Sequence, residues 1–495
     1  MKKWFLPILL FLSGCLFPLA LAPFFYWPLG LVSLTGLVYG LRQAHSGKQA
    51  FLHSWLYSTG QFLVGVSWIY VSMQRFGGTP MPLAALAVVL FAMFLALIPA
   101  SVFALRQAVF GHTLAWLTLP VFWFFSEWVR GHLLTGFPWL FAGDAHLFSW
   151  LSGYAPLISS YGLSMLVVLT ITVIWQAVQT KHYAYLTLLL FWPFGAYLQN
   201  LDWTEKVGEL TVSAVQGNVA QKDKWLPSIA KPTIANYYQQ TAKHWDSDLI
   251  LWPETAVTLL YDQFKPYMLN IADEAKEHQS TVITGIAYRY PRGHQFYGEF
   301  HNSITAFGNG EGLYHKQKLV PFGEFVPFET QIRGLLPFFD LEMSSFKAGD
   351  ANQALLKVNK ANSLYLVAPF ICYEIAYSEQ VASMAAHADL LITVSNDAWF
   401  GDSLGPKQHM ALAQMRALET GRYLLRATNT GITALVNNKG QIIARLPYDV
   451  RDTLTGNAEM RQGSTPFMRF GLWPLHLFSA LILLAAFILR KRNYG

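Results

Sequence analysis

Three short segments each place a residue capable of proton or acyl chemistry in or just beyond a β-rich run. In Leu251-Trp252-Pro253-Glu254-Thr255, an apolar run ends at a proline and a carboxylate emerges from its C-terminal end. Shielding by Trp252 would desolvate Glu254, raise its pKa and suit it to general-base work. The second segment, Tyr314–Pro327, packs Lys316, Lys318 and Glu324 between apolar residues, and Pro321 and Pro327 force it into loop geometry. Either lysine could offer a fixed ammonium to an oxyanion. In the third, Phe370-Ile371-Cys372-Tyr373-Glu374, a cysteine follows the apolar run Leu364–Ala368. Cys372 is the only thiol after residue 200, so it has no disulfide partner there. A strand-to-turn cysteine with no partner reads as a nucleophile.

These residues need a scaffold, and the pattern from about Glu209 onward supplies one. Candidate strands are Leu210–Val215, Leu249–Trp252, Thr281–Ala287, Ser303–Phe307, Leu364–Ala368, Leu390–Val394 and Leu424–Ala427. Ile432–Val436 and Gln441–Ala444 flank the turn Asn437-Asn438-Lys439-Gly440 and read as a hairpin. Helical patterns occupy about 229–245, 262–278, 376–388 and 407–421. Short buried strands alternating with amphipathic helices imply an α/β layered fold.

The first 200 residues are of another kind. The chain of 495 residues is 53% hydrophobic and 13% charged, about half the charge of a soluble domain. Of its 29 acidic residues only Glu127 and Asp144 precede residue 201. This excludes a single soluble globule, a disordered chain and a disulfide-stapled secreted protein. Apolar runs near 4–22, 24–41, 51–72, 82–105, 113–129, 155–178, 183–199 and 470–489 are each long enough to suggest a membrane span. With the N-terminus in the cytoplasm, inside segments hold Lys2, Lys3, Arg42, Lys48, Arg106, Lys181, Arg490, Lys491 and Arg492, and outside loops hold Arg75 and Arg130. The positive-inside rule then puts residues 201–468 outside, in a bacterium the periplasm, and returns the C-terminus to the cytoplasm. The expected organisation is seven spans in 1–200, an outer domain in 201–468, and an eighth span with a tail in 469–495. The net charge of +6 sits mostly beside the apolar runs and does not signal nucleic acid. Leu12-Ser13-Gly14-Cys15 looks like a lipoprotein signal, but an apolar continuation in place of a polar tether favours Cys15 as a small residue of the first span. Glu127, Arg130, His132 and Asp144 are expected at the outer end of the fifth span, either touching headgroups or in a solvated loop.

Glu, Lys and Cys in this order, each in such a segment, resemble the Glu–Lys–Cys triad of the carbon–nitrogen hydrolase (nitrilase) superfamily. Within it the chain resembles the apolipoprotein N-acyltransferases, which combine multiple spans, a periplasmic nitrilase-like domain and a final span. The most specific segments are Trp252-Pro253-Glu254, Tyr314 to Pro327, Ile371 to Glu374, and Ser395-Asn396-Asp397-Ala398-Trp399-Phe400-Gly401. The resemblance implies a multi-span helical membrane domain of about eight helices plus an αββα sandwich. It implies Glu254 as base, Lys316 as catalytic lysine and Cys372 as nucleophile. Glu324, Tyr373 and Glu374 match supporting residues, and Trp225, in Lys222-Asp223-Lys224-Trp225, matches a loop tryptophan beside the site. Lys318 falls where many relatives have histidine.

The implied chemistry is ping-pong acyl transfer at an inner membrane. Lys316 would favour the Cys372 thiolate, and Lys316 with a backbone N–H after Cys372 would stabilise an oxyanion. The donor is a phospholipid, expected to be phosphatidylethanolamine, giving up its sn-1 chain. The acceptor is the N-terminal amine of a diacylated apolipoprotein. No metal or organic cofactor is required. Phe322, Phe325, Val326, Phe328 and Leu335-Leu336-Pro337-Phe338-Phe339 read as an apolar lid or arms, with Gly323 and Gly334 as hinges. His409 reads as a satisfied helical histidine, Asn396, Asp397 and Trp399 as pocket wall, and Arg416, Glu419 and Arg422 as a solvated or ion-paired helix. The rivals are a membrane-tethered amidase of the same superfamily and a transporter or scaffold whose outer domain only binds.

Overall fold

The computed structural model describes residues 2–325 and 346–494. The chain divides into two compact units. One comprises Met1–Tyr70, Pro80–Leu201 and Arg469–Gly495; the other comprises Val71–Thr79 and Asp202–Met468.

The first unit is helical. Among the described residues, three helices are long and apolar enough to cross a membrane: Met81–Phe110, Trp150–Thr180 and Trp473–Arg492. Lys2–Leu16, Trp27–Arg42, Gly47–Gly65 and Ala115–His132 are further helices. The apolar run at 183–199 forms a 3₁₀ stretch, Tyr183–Leu190, followed by the short helix Phe191–Leu198, where Pro193 brings no N–H to the first turn. Helices Lys2–Leu16 and Gly47–Gly65 cross at reciprocal glycines. A Cβ on Gly14 would lie 1.9 Å from the Tyr57 carbonyl oxygen, and one on Gly60 would lie 2.3 Å from that of Phe11 and 3.2 Å from Cys15 Sγ. Small residues thus allow backbone-to-backbone approach, and Cys15 packs into that crossing.

The acidic residues of this unit differ from expectation. Glu127, Arg130 and Asp144 are buried, neither solvated nor at an accessible end. Glu127 accepts from Trp123 Nε1 at 2.9 Å and from the Ala142 N–H at 2.8 Å. The Arg130 guanidinium stacks over Phe62 and Phe141 and donates to the Phe137 carbonyl at 3.0 Å. His132 is exposed.

Among the described residues the second unit has thirteen strands: β1 Glu205–Gln216, β2 Leu249–Leu251, β3 Val257–Leu260, β4 Thr281–Arg289, β5 Phe300–Gly308, β6 Gly310–His315, β7 Leu356–Lys360, β8 Ser363–Ile371, β9 Leu390–Ser395, β10 Leu424–Thr428, β11 Ala434–Val436, β12 Ile442–Arg445 and β13 Asp452–Gln462. Their hydrogen-bonded order is β12-β11-β10-β9-β8-β7-β6-β5-β4-β2-β1-β13, with β3 against β4. Strands β1, β2 and β4 run parallel, as do β8, β9 and β10.

Side-chain alternation sorts this path into layers. Leu210, Val212, Leu249, Leu251 and Ile283 from one half meet Val367, Ile371, Leu390, Ile392 and Leu425 from the other in a shared core. On the reverse face of the first half, Val215, Ile250 and Val282 pack with Ile234 and Tyr237 of helix Pro227–Thr241 and Phe264 and Ile271 of helix Tyr261–Glu277. On the reverse face of the second, Ala368, Phe370 and Leu391 pack with Val381 of helix Ser378–Ala385 and Met410 and Ala413 of helix Gly405–Thr420. The layers run helix, sheet, sheet, helix. Burying Leu, Ile or Val side chains at about 1.5–3 kcal/mol each holds them together.

The strands missing from the sequence reading are β3, β6, β7 and β13. Helix Gly405–Thr420 is buried at every residue but Lys407, so Arg416 and Glu419 are not solvated. They pair at 2.8 Å inside the core, where Arg416 also donates to the Ala376 carbonyl at 3.0 Å. Arg422 is buried too and donates to the Ala388 carbonyl.

Candidate active site

The reactive segments follow the C-terminal ends of strands, where side chains can leave the sheet and converge. Glu254 follows β2, Lys316 follows β6, Cys372 follows β8 and Asn396 follows β9. Cys372 opens a 3₁₀ turn, Cys372–Ala376, with φ of 53°. This left-handed conformation costs a non-glycine residue on the order of 1–3 kcal/mol. It lifts the sulfur out of the strand's pleat, and Cys372 stays partly exposed.

Glu254 is buried among donors. Its Oε1 accepts from Asn302 Nδ2 at 2.8 Å and lies 3.8 Å from Lys316 Nζ, while its Oε2 accepts from the Asn396 N–H at 3.0 Å. The expected shielding by Trp252 is replaced by another arrangement. Trp252 lies in the helix-side core, stacks on Tyr237 with centroids 5.1 Å apart, and donates to Thr241 Oγ1. Successive strand residues face opposite sides, but β2 ends at Leu251 and the kink at Pro253 breaks that alternation before Glu254.

Lys316 is fully buried between two carboxylates. Its Nζ donates to Glu324 Oε1 at 2.9 Å and lies 2.8 Å from Oε2. Asn302 Nδ2 ties the carboxylates together, donating also to Glu324 Oε1 at 2.9 Å. The Lys316 backbone is pinned as well, donating to the Asn302 carbonyl and accepting from the Gly349 N–H, both at 2.8 Å. Burial pulls its ammonium pKa down, but Glu324, Glu254 and Cys372 outweigh this and hold it above the usual lysine value. It therefore stays a cation. Lys318 is exposed, with its ammonium 5.2 Å from the Tyr377 ring centre.

The charges of Glu254 and Lys316 both act on the Cys372 thiol. Burial and then Glu254 push its pKa up, against Lys316 and the Ser395 hydroxyl pulling down. The balance favours a resting thiol, although Lys316 pulls toward the thiolate as expected, and Glu254 is the carboxylate whose charge weighs most on the sulfur.

The remaining sequence candidates surround this centre. Glu374 is fully buried and accepts from Tyr314 Oη at 2.8 Å and from the N–H groups of Gln317 at 2.7 Å and Ile371 at 2.8 Å. Burial raises its pKa, opposed by the Ile371 N–H and Lys316. It ties the lysine loop to the cysteine turn and so sets their spacing. Tyr373 is partly exposed and packs edge-on against Tyr377 at 5.3 Å. Trp225 is partly buried in the turn before helix Pro227–Thr241. Of the apolar lid residues, Phe322 and Phe325 form a tight turn in which the Phe322 N–H donates to the Phe325 carbonyl at 2.7 Å. Val326, Phe328, Gly334 and Leu335 to Phe339 lie outside the described residues.

Of the residues around this centre, Asn302, Lys224 and His409 were not assigned to it from the sequence, and Asn396 was read only as pocket wall. Asn302 joins the two carboxylates, and an amide in the middle of the apolar strand β5 was its available signal. Asn396 contributes a backbone N–H, which no side-chain pattern announces. Lys224, buried in the turn before helix Pro227–Thr241, donates to the Glu254 carbonyl at 3.1 Å and to Thr255 Oγ1 at 2.8 Å. Burial pushes its pKa down to about 8, against the opposing Glu254 charge. His409 touches the Cys372 carbonyl, its Nε2 lying 2.9 Å from the oxygen. Among the described residues no three His, Cys, Asp or Glu side chains gather as metal ligands.

A family model described as carbon-nitrogen hydrolase matches residues 211–462, and one described as the apolipoprotein N-acyltransferase N-terminal domain matches residues 13–173. The chain is 42% identical to an apolipoprotein N-acyltransferase of Pseudomonas aeruginosa, across 97% of this chain and 95% of the relative. It is 42% identical to the one of Pseudomonas syringae pv. tomato, across 95% and 94%. With that of Photobacterium profundum the identity is 38%, across 98% and 95%. On this near full-length similarity, the chain belongs to the apolipoprotein N-acyltransferase family.

Proposed function

We propose that the protein transfers an acyl chain from the sn-1 position of a membrane phospholipid to the N-terminal amine of diacylated apolipoproteins, through a thioester on Cys372. The observation that supports this most is the convergence of Glu254, Lys316 and Cys372 on one another. In the first half-reaction Glu254 takes the thiol proton as sulfur attacks the ester carbonyl. The oxyanion is held by the Lys316 ammonium and the Tyr373 N–H. Collapse breaks the ester C–O bond, Glu254 returns the proton to the departing lysophospholipid oxygen, and a thioester remains. In the second, the acceptor amine attacks the thioester as Glu254 removes its proton. The C–S bond breaks, the sulfur regains the proton, and an amide leaves. Every proton passes through one carboxylate, and the cation beside it stays charged throughout.

Both substrates carry acyl chains whose transfer to water costs about 0.8 kcal/mol per CH₂, which supports a site near lipid. The reading accordingly includes eight spans, seven in 1–200 and one in 469–495, with residues 201–468 as a periplasmic domain at the inner membrane and both termini in the cytoplasm. Phosphatidylethanolamine is the expected donor. Trp225, Glu324, Tyr373 and Glu374 support the triad, and the apolar stretch from Phe322 onward contacts acyl chains.

Replacing Cys372 with Ser in cells that depend on this enzyme tests the reading. Diacylated lipoproteins should accumulate and triacylated forms disappear. Unchanged lipoproteins, with loss of turnover of a small amide, would instead identify an amidase.

A further inference from the structure

The left-handed turn at Cys372 must be held by its neighbours, since a cysteine does not adopt φ of 53° unaided. The Ile371 N–H ahead of it donates to Glu374 Oε2, and the Tyr377 N–H behind it donates to the Glu374 carbonyl. The Cys372 carbonyl itself is met by His409 Nε2 at 2.9 Å. A carbonyl oxygen only accepts, so Nε2 carries the hydrogen.

His409 is in turn held from behind. Its Nδ1 lies 3.1 Å from Asp397 Oδ1 and 3.1 Å from Arg426 Nη2. Arg426 Nη2 also donates to Asp397 Oδ2 at 2.8 Å. All three side chains are buried. Asp397 Oδ1 also accepts from Ser395 Oγ at 2.7 Å. Asp397 thus holds Arg426, Arg426 donates to His409 Nδ1, and His409 donates to the Cys372 carbonyl. The backbone makes room for the carboxylate: a Cβ on Gly431, where φ is 122°, would stand 2.6 Å from Asp397 Oδ2. Burial and then the Arg426 charge pull the His409 pKa down, which suits a neutral imidazole with its hydrogen on Nε2.

We propose that His409 is a positioning residue for Cys372: anchored at Nδ1 by Arg426, which Asp397 holds in place, it fixes the Cys372 carbonyl and so aims the sulfur and the following N–H. The proposal rests on the reading of Cys372 as the nucleophile. A histidine that merely packs its helix against the sheet would have no reason to select this carbonyl.

The test uses the full-length enzyme in detergent with Cys15→Ala, which leaves Cys372 as the only thiol. His409→Leu fills similar space without a donor, and His409→Gln offers an amide N–H. The leucine variant should lose about 10²-fold in kcat, with KM for a diacylated lipopeptide little changed and iodoacetamide labelling of Cys372 slowed. The glutamine variant should recover most of both rates. A folded leucine variant with wild-type kcat, or two equally impaired variants with wild-type labelling, overturns the proposal. If the leucine variant does not fold, the glutamine variant decides: near wild-type kcat supports the proposal, and loss as large as 10²-fold in folded protein overturns it. A Cys372→Ala control separates the two layers. If it retains acyl transfer, the nucleophile reading fails; if it is inactive while His409→Leu is unaffected, only the positioning role fails.

Discussion

Two buried clusters in this chain hold the same charges in different settings. In the sheet unit Lys316 lies between Glu254 and Glu324. In the helical unit Arg130 lies one turn after Glu127 on the same helix, and Asp144 is near enough to act on Glu127 electrostatically. Each has one cation and two carboxylates, shielded from solvent. The helical cluster spends its hydrogen bonds inwardly, on the Trp123 indole, the Ala142 N–H and the Phe137 carbonyl, and its guanidinium is flanked by the Phe62 and Phe141 rings. The sheet cluster sits at strand ends beside a cysteine in a left-handed turn. Buried charge alone therefore does not make a reactive centre. The difference lies in a thiol that the charges can act on and a left-handed backbone conformation at that cysteine.

The comparison can be broken in several ways. The largest effect is expected from Glu254→Gln, which removes the carboxylate proposed to relay the proton. Purified enzyme should lose about 10²–10⁴-fold in kcat, with KM for phospholipid little changed, in a continuous acyl-transfer assay. Glu324→Gln leaves the base in place but removes one of the two charges that neutralise Lys316. We expect a smaller fall in kcat and a loss of stability of about 3–5 kcal/mol, as for breaking a buried pair, seen in thermal unfolding. Glu127→Gln should destabilise by about 1–3 kcal/mol yet leave the kcat of folded enzyme close to wild type. If its kcat falls like that of Glu254→Gln, the helical cluster is not merely structural and the contrast fails.

Lys224 sharpens the contrast from the stability side. Its folded pKa of about 8 lies below the ordinary value of 10.5. Between those values the unfolded chain binds more protons than the folded one, so stability rises as pH climbs through that window. Denaturant unfolding from pH 7.5 to 10.5 should show this rise in the wild type and a shallower one in Lys224→Met. Equal slopes would remove Lys224 as the source.

What the sequence disclosed follows from how local each signal is. Glu254 and Cys372 stand at the ends of apolar strands, and the change from alternation to a turn is readable within ten residues. The parallel core strands β8 and β9 are largely continuous apolar runs and were found for the same reason. Strand β13 was not, because Asp452–Gln462 is largely polar and gains its order from pairing antiparallel with β1, about 240 residues away in sequence. Strands β6 and β7 are short, and β6 carries two glycines. The choice of Lys316 over Lys318 came from the resemblance, because both stand at the same loop and only the fold separates a buried ammonium from an exposed one. Asn302, Lys224 and His409 were assigned no part in the centre because their partners are distant in sequence. The buried positions of Glu127 and Arg130 were missed for a related reason: a hydropathy reading puts charges at the ends of apolar runs and has no view of the packing that can enclose them.

The central claim is that Cys372 carries the acyl group between two molecules. Intact-protein mass spectrometry of the purified enzyme, incubated with a phospholipid of defined sn-1 chain and no acceptor, tests it most directly. The account predicts one added acyl group of that chain's mass, mapped to Cys372, released by a diacylated lipopeptide and absent in Cys372→Ala. An unmodified protein that still acylates the lipopeptide, or an acyl group on another residue, would contradict it.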